Sequence, residues 1–303
     1  MKLGVVFPQT EIGADPGGVR EYAQAVQELG FDHLLAYDHV LGADRERHPQ
    51  LIGPYRTEHM FHEILVLFGY LAAVAPGLEL VTAVVIAPQR QTALLAKQAA
   101  EIDVLTGGRF RLGLGIGWND VEYEALGMDF SDRGRRFEEQ IELLRRLWAE
   151  PVFDFSGRWH TVTAAGINPL PVQRPIPIWI GGSAERAIRR TARLADGYFP
   201  QRPLDGGWPA TLEQMRMWAE EAGRDWASFG IDQRINVAAG TPDEWRQAAE
   251  EWRELGATHL SLVTMGGGLE GPGSDGWPRT RAPSLQRPTR AERRNAPHNV
   301  MKS

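Results

Sequence analysis

The sequence predicts an α/β fold, a parallel (β/α)8 barrel of the TIM type, and three observations carry that expectation. Eight strand-like runs alternate with helix-like segments, the pattern of a parallel sheet whose crossovers are helices. The 303 residues leave room for one such barrel, which usually takes about 250. A faint internal repeat marks two of the units: ELGFDHL at Glu28–Leu34 returns as ELGATHL at Glu254–Leu260, each a helix end, a glycine stop and a strand start.

Leu3–Phe7 is a compact apolar run ended by Pro8, which suits a first strand buried on both faces. Asp15-Pro16 then supplies an N-cap and a proline at the first helical position. Val19, Tyr22, Ala23, Val26 and Leu29 follow at helical spacing until Gly30. Asp32–Tyr37 reads as the second strand, followed by a helix around Thr57–Ala75, a strand at Glu79–Ile86, the helix Thr92–Leu105 and a fourth strand at Arg109–Leu114. An excursion from Trp118 to Arg174 comes next. Within it Ser131 is the expected N-cap of a helix with Phe137, Ile141, Leu144 and Trp148 on one face, Glu142 and Arg146 as an i,i+4 pair, and Pro151 as its stop. Val152–Thr161, centred on Ser156-Gly157, reads as a hairpin outside the barrel. Strands at Ile176–Ile180, Asp196–Phe199, Ile231–Val237 and Thr258–Thr264 complete the set. Between them come helices at Ala184–Leu194 and Thr211–Ala222, and one opened by the capping box Thr241/Glu244. Residues 1–265 thus form one barrel domain with an insertion after strand four. Residues 266–303 are rich in Gly, Pro and Arg, lack an amphipathic period, and read as a disordered tail where a last helix is expected.

Composition narrows the function. There is no cysteine, which excludes disulfides, thiolate nucleophiles and Cys-ligated metal sites. A net charge of −6 without a basic stripe argues against a nucleic-acid partner. No apolar run approaches the roughly 18 residues of a membrane span, and MKLGVVFP opens on strand-like residues rather than a signal peptide. The expectation is a cytoplasmic protein, without membrane or nucleic-acid partners, acting on a small molecule.

Barrel chemistry gathers at the C-terminal ends of the strands. Asp38-His39 is the acid and imidazole pair at that rim, and histidine gives or takes protons near neutral pH. In GGRFRLGLGIGW, Gly107–Trp118, the alternate glycines Gly113, Gly115 and Gly117 clear one face. That clearance admits either a flat ring or the bulk of a neighbouring strand in a tight barrel. Gly181-Gly182-Ser183 ends strand five and opens a helix, a natural phosphate site in which Ser183 serves as donor or as plain helix cap. TMGGG at Thr264–Gly268 is a second candidate phosphate contact, and Arg186, Arg189 and Arg190 lie within reach of an anionic tail. His59 and His62, beside Glu58 and Glu63, are a weak metal candidate because HEILV is not H-E-x-x-H; His160 reads as structural. Trp118 and Trp208 are placed to wall a pocket.

The run Leu94–Trp118, YDH at Tyr37–His39, RGRRFEEQIELLRRLW at Arg133–Trp148 and PIPIWIGGSAERAIRRTARLADGYFP at Pro175–Pro200 together resemble the luciferase-like monooxygenase superfamily. More narrowly they resemble its coenzyme F420-dependent oxidoreductase branch. The resemblance implies an Asp38 that hydrogen-bonds the cofactor ring and a His39 that acts as acid or base. It further implies a backbone bulge with a non-proline cis peptide at Thr82, Ala83 and Val84, a ring lying near Gly115, Ile116 and Gly117, and a phosphate held by Gly181, Gly182 and Ser183. Two positions depart from relatives. Trp118 stands where the glucose-6-phosphate dehydrogenase type has a catalytic Glu, so that substrate is not expected. Ile116 stands where FMN enzymes of the long-chain luciferase type often have Arg, which favours F420. The implied function is hydride transfer between coenzyme F420 and an unidentified organic substrate. The alternatives are a two-component FMN-dependent monooxygenase fed by a flavin reductase, and a non-catalytic flavin-binding barrel. A homodimer is the implied assembly.

Overall fold

Parallel pairing runs unbroken around a closed ring in the computed structural model, which describes residues 1–51, 53 and 55–267. The chain passes through β1 (Lys2–Val6), α1 (Pro16–Glu28), β2 (His33–Ala36), α2 (Ile64–Val74), β3 (Glu79–Thr82), β4 (Val85–Ile86), α3 (Thr92–Thr106) and β5 (Phe110–Gly115). After α4 (Asp120–Ala125), α5 (Arg133–Ala149) and the antiparallel pair β6 (Phe153–Ser156) and β7 (Thr161–Ala165), the alternation resumes. It continues with β8 (Ile178–Gly181), α6 (Glu185–Leu194), β9 (Gly197–Phe199), α7 (Gly207–Glu221), β10 (Gly230–Asn236), α8 (Pro242–Glu254) and β11 (His259–Val263). Ring closure is made by β1, which pairs with β2 at Val5↔Leu34 and with β11 at Leu3↔Leu260. The predicted tail lies outside the described residues from 268 onward.

Inward and outward residues alternate along each strand, so the apolar side chains divide into two sets. The larger set, with Leu34, Leu80, Phe110 and Ile178, packs against helix residues such as Ala23, Phe68, Ala99 and Leu144. The smaller fills the lumen with Val6, Leu35, Val81, Trp179 and Phe199. Beneath that plug the floor is polar. Asp232 pairs with Arg111 at 3.1 Å, and Ser261 Oγ donates to Asp232 Oδ1 at 2.9 Å. Because that hydroxyl proton is spent on Asp232, the 2.8 Å contact between Ser261 Oγ and His33 Nε2 makes the histidine the donor. Gly4 admits the ring: a Cβ there would lie 2.3 Å from His33 Cδ2. Trp179 lies across Gly197 and Gly230 with the Arg111 guanidinium 4.2 Å from its ring centroid.

His259 stands at the edge of this floor. Burial pushes its imidazole from 6.5 down to about 3, the nearby Arg111 charge adding to the effect. A histidine lowered in the folded state stays neutral where the unfolded chain takes up a proton, so it costs stability as pH falls below 6.5 towards 3. The urea midpoint is therefore expected to fall over that window, by at most about 1.4 kcal/mol per pH unit. In His259→Asn the drop should flatten; an unchanged slope would assign it to other groups.

Several predicted elements are shifted. The helix expected from Thr57 starts at Ile64, where Glu63 Oε2 accepts from the Val66 amide as cap. Helix α5 is preceded by Asp132 rather than Ser131, without a side-chain cap, and Arg146 pairs with Glu150 at 2.7 Å rather than with Glu142. Helix α7 begins at Gly207 instead of Thr211. The hairpin extends to Ala165. The predicted third strand is two, β3 and β4, separated by Ala83 and Val84. No helix among the described residues is long and apolar enough to cross a membrane.

Candidate active site

The interruption between β3 and β4 organises the rim. Its Ala83–Val84 peptide is cis. Here the backbone of β3 leans into the lumen and β5 gives way through its glycines. A Cβ on Gly113 would sit 1.8 Å from the Thr82 carbonyl oxygen, one on Gly115 2.5 Å from Val84 Cγ2, and one on Gly117 2.8 Å from Ile86 Cγ2. Thr82, Val84 and Ile86 stand where side chains on the alternate glycines would go. Thr82 likewise faces its neighbour strand: its buried hydroxyl donates to the Gly113 carbonyl at 2.8 Å and accepts from the Gly113 amide at 2.8 Å. Half-buried Val84 reaches across the rim, with Cγ1 3.2 Å from the position a Cβ on Gly181 would take. The Ile116 carbonyl accepts from Tyr123 Oη at 2.7 Å.

Asp38 and His39 diverge. The Asp38 carboxylate is buried and receives both arms of Arg90, at 2.7 and 2.9 Å, plus the Ile86 amide at 3.1 Å. The bidentate pair with Arg90 and the bond from the Ile86 amide tie β4 to the end of β2. His39 turns to Glu122, its Nδ1 3.2 Å from Oε1. The same Oε1 accepts from the amides of Val40 at 2.9 Å and Leu41 at 3.2 Å, and Oε2 accepts from Gln89 at 3.2 Å. Burial pushes the Glu122 carboxyl up. His39 by hydrogen bond and charge, with Gln89 and the Val40 amide, outweighs that and holds it below the usual carboxylate range. An ionised Glu122 makes Nδ1 the donor and leaves Nε2 outside that pair. Around the imidazole stand Tyr55 and Phe61, each 4.9 Å between ring centroids, and Trp118 at 5.9 Å, which is 37% exposed.

Glu122 was not visible in sequence reasoning because α4 spans only six residues, too few for a helical period. The available signal was Asn119, whose side chain caps the helix at the Val121 amide, followed by Asp120 and Glu122 in the first turn.

The start of α6 follows directly on Gly181, Gly182 and Ser183. Ala184 holds the N-cap position with no side-chain cap, the Ala187 amide donates to the Ala184 carbonyl at 2.7 Å, and Ser183 makes no hydrogen bond among the described residues. The neighbouring arginines are otherwise engaged: Arg190 pairs with Glu138 at 2.9 Å and Arg189 lies over Trp218. The second phosphate candidate is closed, because the Gly266 amide donates to Glu11 Oε1 at 2.6 Å and the Gly267 amide to the Thr264 carbonyl; Gly268 lies outside the described residues. Trp208 packs on Trp252 at 4.9 Å, against the helical core rather than beside His39. His62 Nε2 donates to the Gly13 carbonyl, His59 Nδ1 accepts from the Arg56 amide, and no metal-binding group occurs among the described residues.

With that geometry in view, comparison with known proteins is direct: the model of the luciferase-like monooxygenase family matches residues 1–297. The chain belongs to that family. Among the relatives of this luciferase-like chain is an uncharacterized protein of Mycobacterium tuberculosis (strain ATCC 25618 / H37Rv), 32% identical over 86% of this chain and 90% of the relative. A second from that strain is 38% identical over 54% of this chain and 56% of the relative. The FMNH(2)-dependent dimethylsulfone monooxygenase of Pseudomonas putida is 29% identical over 77% of this chain and 61% of its own length. The chain thus spans less than two thirds of the last two relatives. In fold, the luciferase-like barrel is similar to a monooxygenase from Streptomyces bottropensis, with a TM-score of 0.73 at 21% identity, covering 88% of this chain and 94% of that one. It is also similar to an F420-dependent secondary alcohol dehydrogenase in complex with an F420-acetone adduct, with a TM-score of 0.71 at 16% identity, covering 86% and 92%.

Proposed function

We propose that the chain is an oxidoreductase that moves a hydride between coenzyme F420 and an organic substrate, with His39 handling the accompanying proton. The observation that carries this reading is the His39–Glu122 pair at the barrel rim. Hydride added to a carbonyl carbon leaves an oxygen that must be protonated, and the reverse reaction must remove that proton. Nε2 of an imidazole oriented through Nδ1 serves both directions. Ser183 and the leading amides of α6 would hold an anionic cofactor tail, and Val84 with Gly181 would border its ring. Once bound, a deazaflavin supplies or accepts hydride without productively activating oxygen. The aromatic ring of Trp118 and those of Tyr55 and Phe61 exclude water around His39.

An FMN-dependent monooxygenase is the second reading, favoured by the 29% identity with the dimethylsulfone monooxygenase over 77% of the chain. It requires a reductase as partner and puts the same imidazole beside a different ring system. Fluorescence titration of the full chain with F420 and with FMN separates the two. Ser183→Asp should weaken binding of the true cofactor by about tenfold or more, since it sets a carboxylate where an anion is to sit while leaving the helix start favourable. Position 182 is less suitable, because a Cβ there would lie 2.9 Å from that of Ala187. Equal binding of F420 by wild type and Ser183→Asp would remove this loop from the site, and preference for FMN would move the chain to the monooxygenase reading.

A further inference from the structure

Resting on the site just proposed, we infer that the substrate is a small organic acid whose carboxylate is held by Arg234 beside His39. On β10 the inward positions are Gly230, against the Trp179 ring, and Asp232, in the polar floor. Arg234 is the next in phase, about 6.6 Å further towards the mouth. Its Nη2 donates to the Pro200 carbonyl at 3.0 Å, and its guanidinium carbon lies 6.0 Å from the Tyr37 ring centroid.

Arg234 carries no counter-charge, a trait it shares among the described residues with half-buried Arg133, whose guanidinium lies over the Phe130 ring at 3.5 Å. Arg90, Arg111 and Arg136 are also recessed, and each has an aspartate: Asp38, Asp232 and Asp132 respectively. Half-buried Arg234 has no carboxylate partner among the described residues, and its Nη1 and Nε make no hydrogen bond there. Neither atom is among the sealed, unpartnered ones of the described residues. The Tyr37 and Tyr55 hydroxyls likewise make no hydrogen bond among the described residues. Burial pushes the Tyr55 phenol up, neighbouring Tyr37 adds to the rise and Arg234 opposes it, which puts all three groups within electrostatic reach. A guanidinium with two phenolic donors complements the oxygens of a carboxylate. Since the Tyr55 and His39 rings are 4.9 Å apart, an acid anchored there has its body against the proton-handling imidazole and the Trp118 ring.

Calorimetric titration of the cofactor-free full chain with benzoate and with benzamide, its uncharged counterpart, tests this. Benzoate is expected to bind at least tenfold more tightly. Arg234→Met should abolish the preference, and Arg234→Gln should do the same as a polar variant that tolerates the Pro200 contact. Melting temperatures report whether each variant folds, and F420 and FMN titrations should change less than twofold. Indifference to charge in the wild type, undetectable benzoate binding, or a preference that survives both substitutions would overturn the proposal. So would a tenfold loss of cofactor affinity in Arg234→Met, which would give Arg234 to the cofactor's own anionic groups. If benzoate is discriminated but neither F420 nor FMN binds, the acid site stands and the cofactor reading fails.

Discussion

Replacing Gly113 by alanine should destabilise the barrel by about 3 kcal/mol or more. The new methyl group would sit 1.8 Å from the Thr82 carbonyl oxygen and 2.7 Å from Phe199 Cε2. The first is a backbone atom, so no rotamer change relieves it, and Thr82 is itself tied to Gly113 through both hydroxyl contacts. Overpacking usually costs about 1–3 kcal/mol, and this site belongs at or beyond the upper end, since strand pairing must yield as well. Little soluble protein, or a urea midpoint lowered by the equivalent of about 3 kcal/mol, is the expected result. Gly69→Ala is the matched control: it lies within α2 with nothing within 4 Å of a new Cβ, so alanine should be neutral or stabilising by up to about 1 kcal/mol. A Gly113→Ala protein as stable as wild type would show that β3 and β5 do not meet as described.

The second large effect concerns turnover. His39→Ala should slow catalysis by roughly 10²–10⁴-fold, the usual worth of a positioned acid–base group, with cofactor affinity changed less than twofold. A comparable loss of cofactor binding would instead make His39 a ligand. Glu122→Gln separates orientation from proton transfer. On the proposed mechanism Glu122 positions the imidazole, and its amide replacement no longer dictates which imidazole nitrogen carries the proton. Imidazole NMR should report the Nδ1-protonated form in wild type and a mixture in Glu122→Gln. The sign of the acid limb follows from the lowered Glu122 carboxyl. The carboxyl stays ionised below its ordinary value of 4.5 and its contribution to turnover is lost as pH falls through the lower folded value. That limb should be missing from the Glu122→Gln profile, and its persistence would assign it to another group.

The barrel was legible because its signals are local and repeated. Asp15-Pro16 and Thr241/Glu244 announce helix starts that the structure reproduces as caps. The rim was legible only as position. Chain order placed Asp38 and His39 side by side at the end of β2, but the partner of each lies far along the sequence, Arg90 for one and Glu122 for the other. No local pattern encodes such pairings. Alternate glycines in β5 are ambiguous for the same reason, since a missing side chain says nothing about what fills the space. Arg234 was hidden inside a strand whose letters, GIDQRIN, show no clean alternation, because charged residues at both Asp232 and Arg234 face the lumen.

The hairpin of β6 and β7 forms a sheet separate from the barrel, yet it is not a detachable ornament. Glu139 on α5 gathers the amides of Arg158, Trp159 and His160 together with His160 Nδ1, and the other nitrogen of that ring meets Thr92 Oγ1 at 2.7 Å. From the same helix Gln140 takes hold of Thr92 and the Ala87 carbonyl. Those contacts bracket Arg90, the residue that clamps Asp38 next to His39. Anyone exchanging loops to graft a new specificity onto this scaffold would thus find the insertion acting as a buttress. Residues 150–165 should be kept while those at the mouth are varied, because shortening the outer wall loosens the stone on which Asp38 and its neighbour His39 stand.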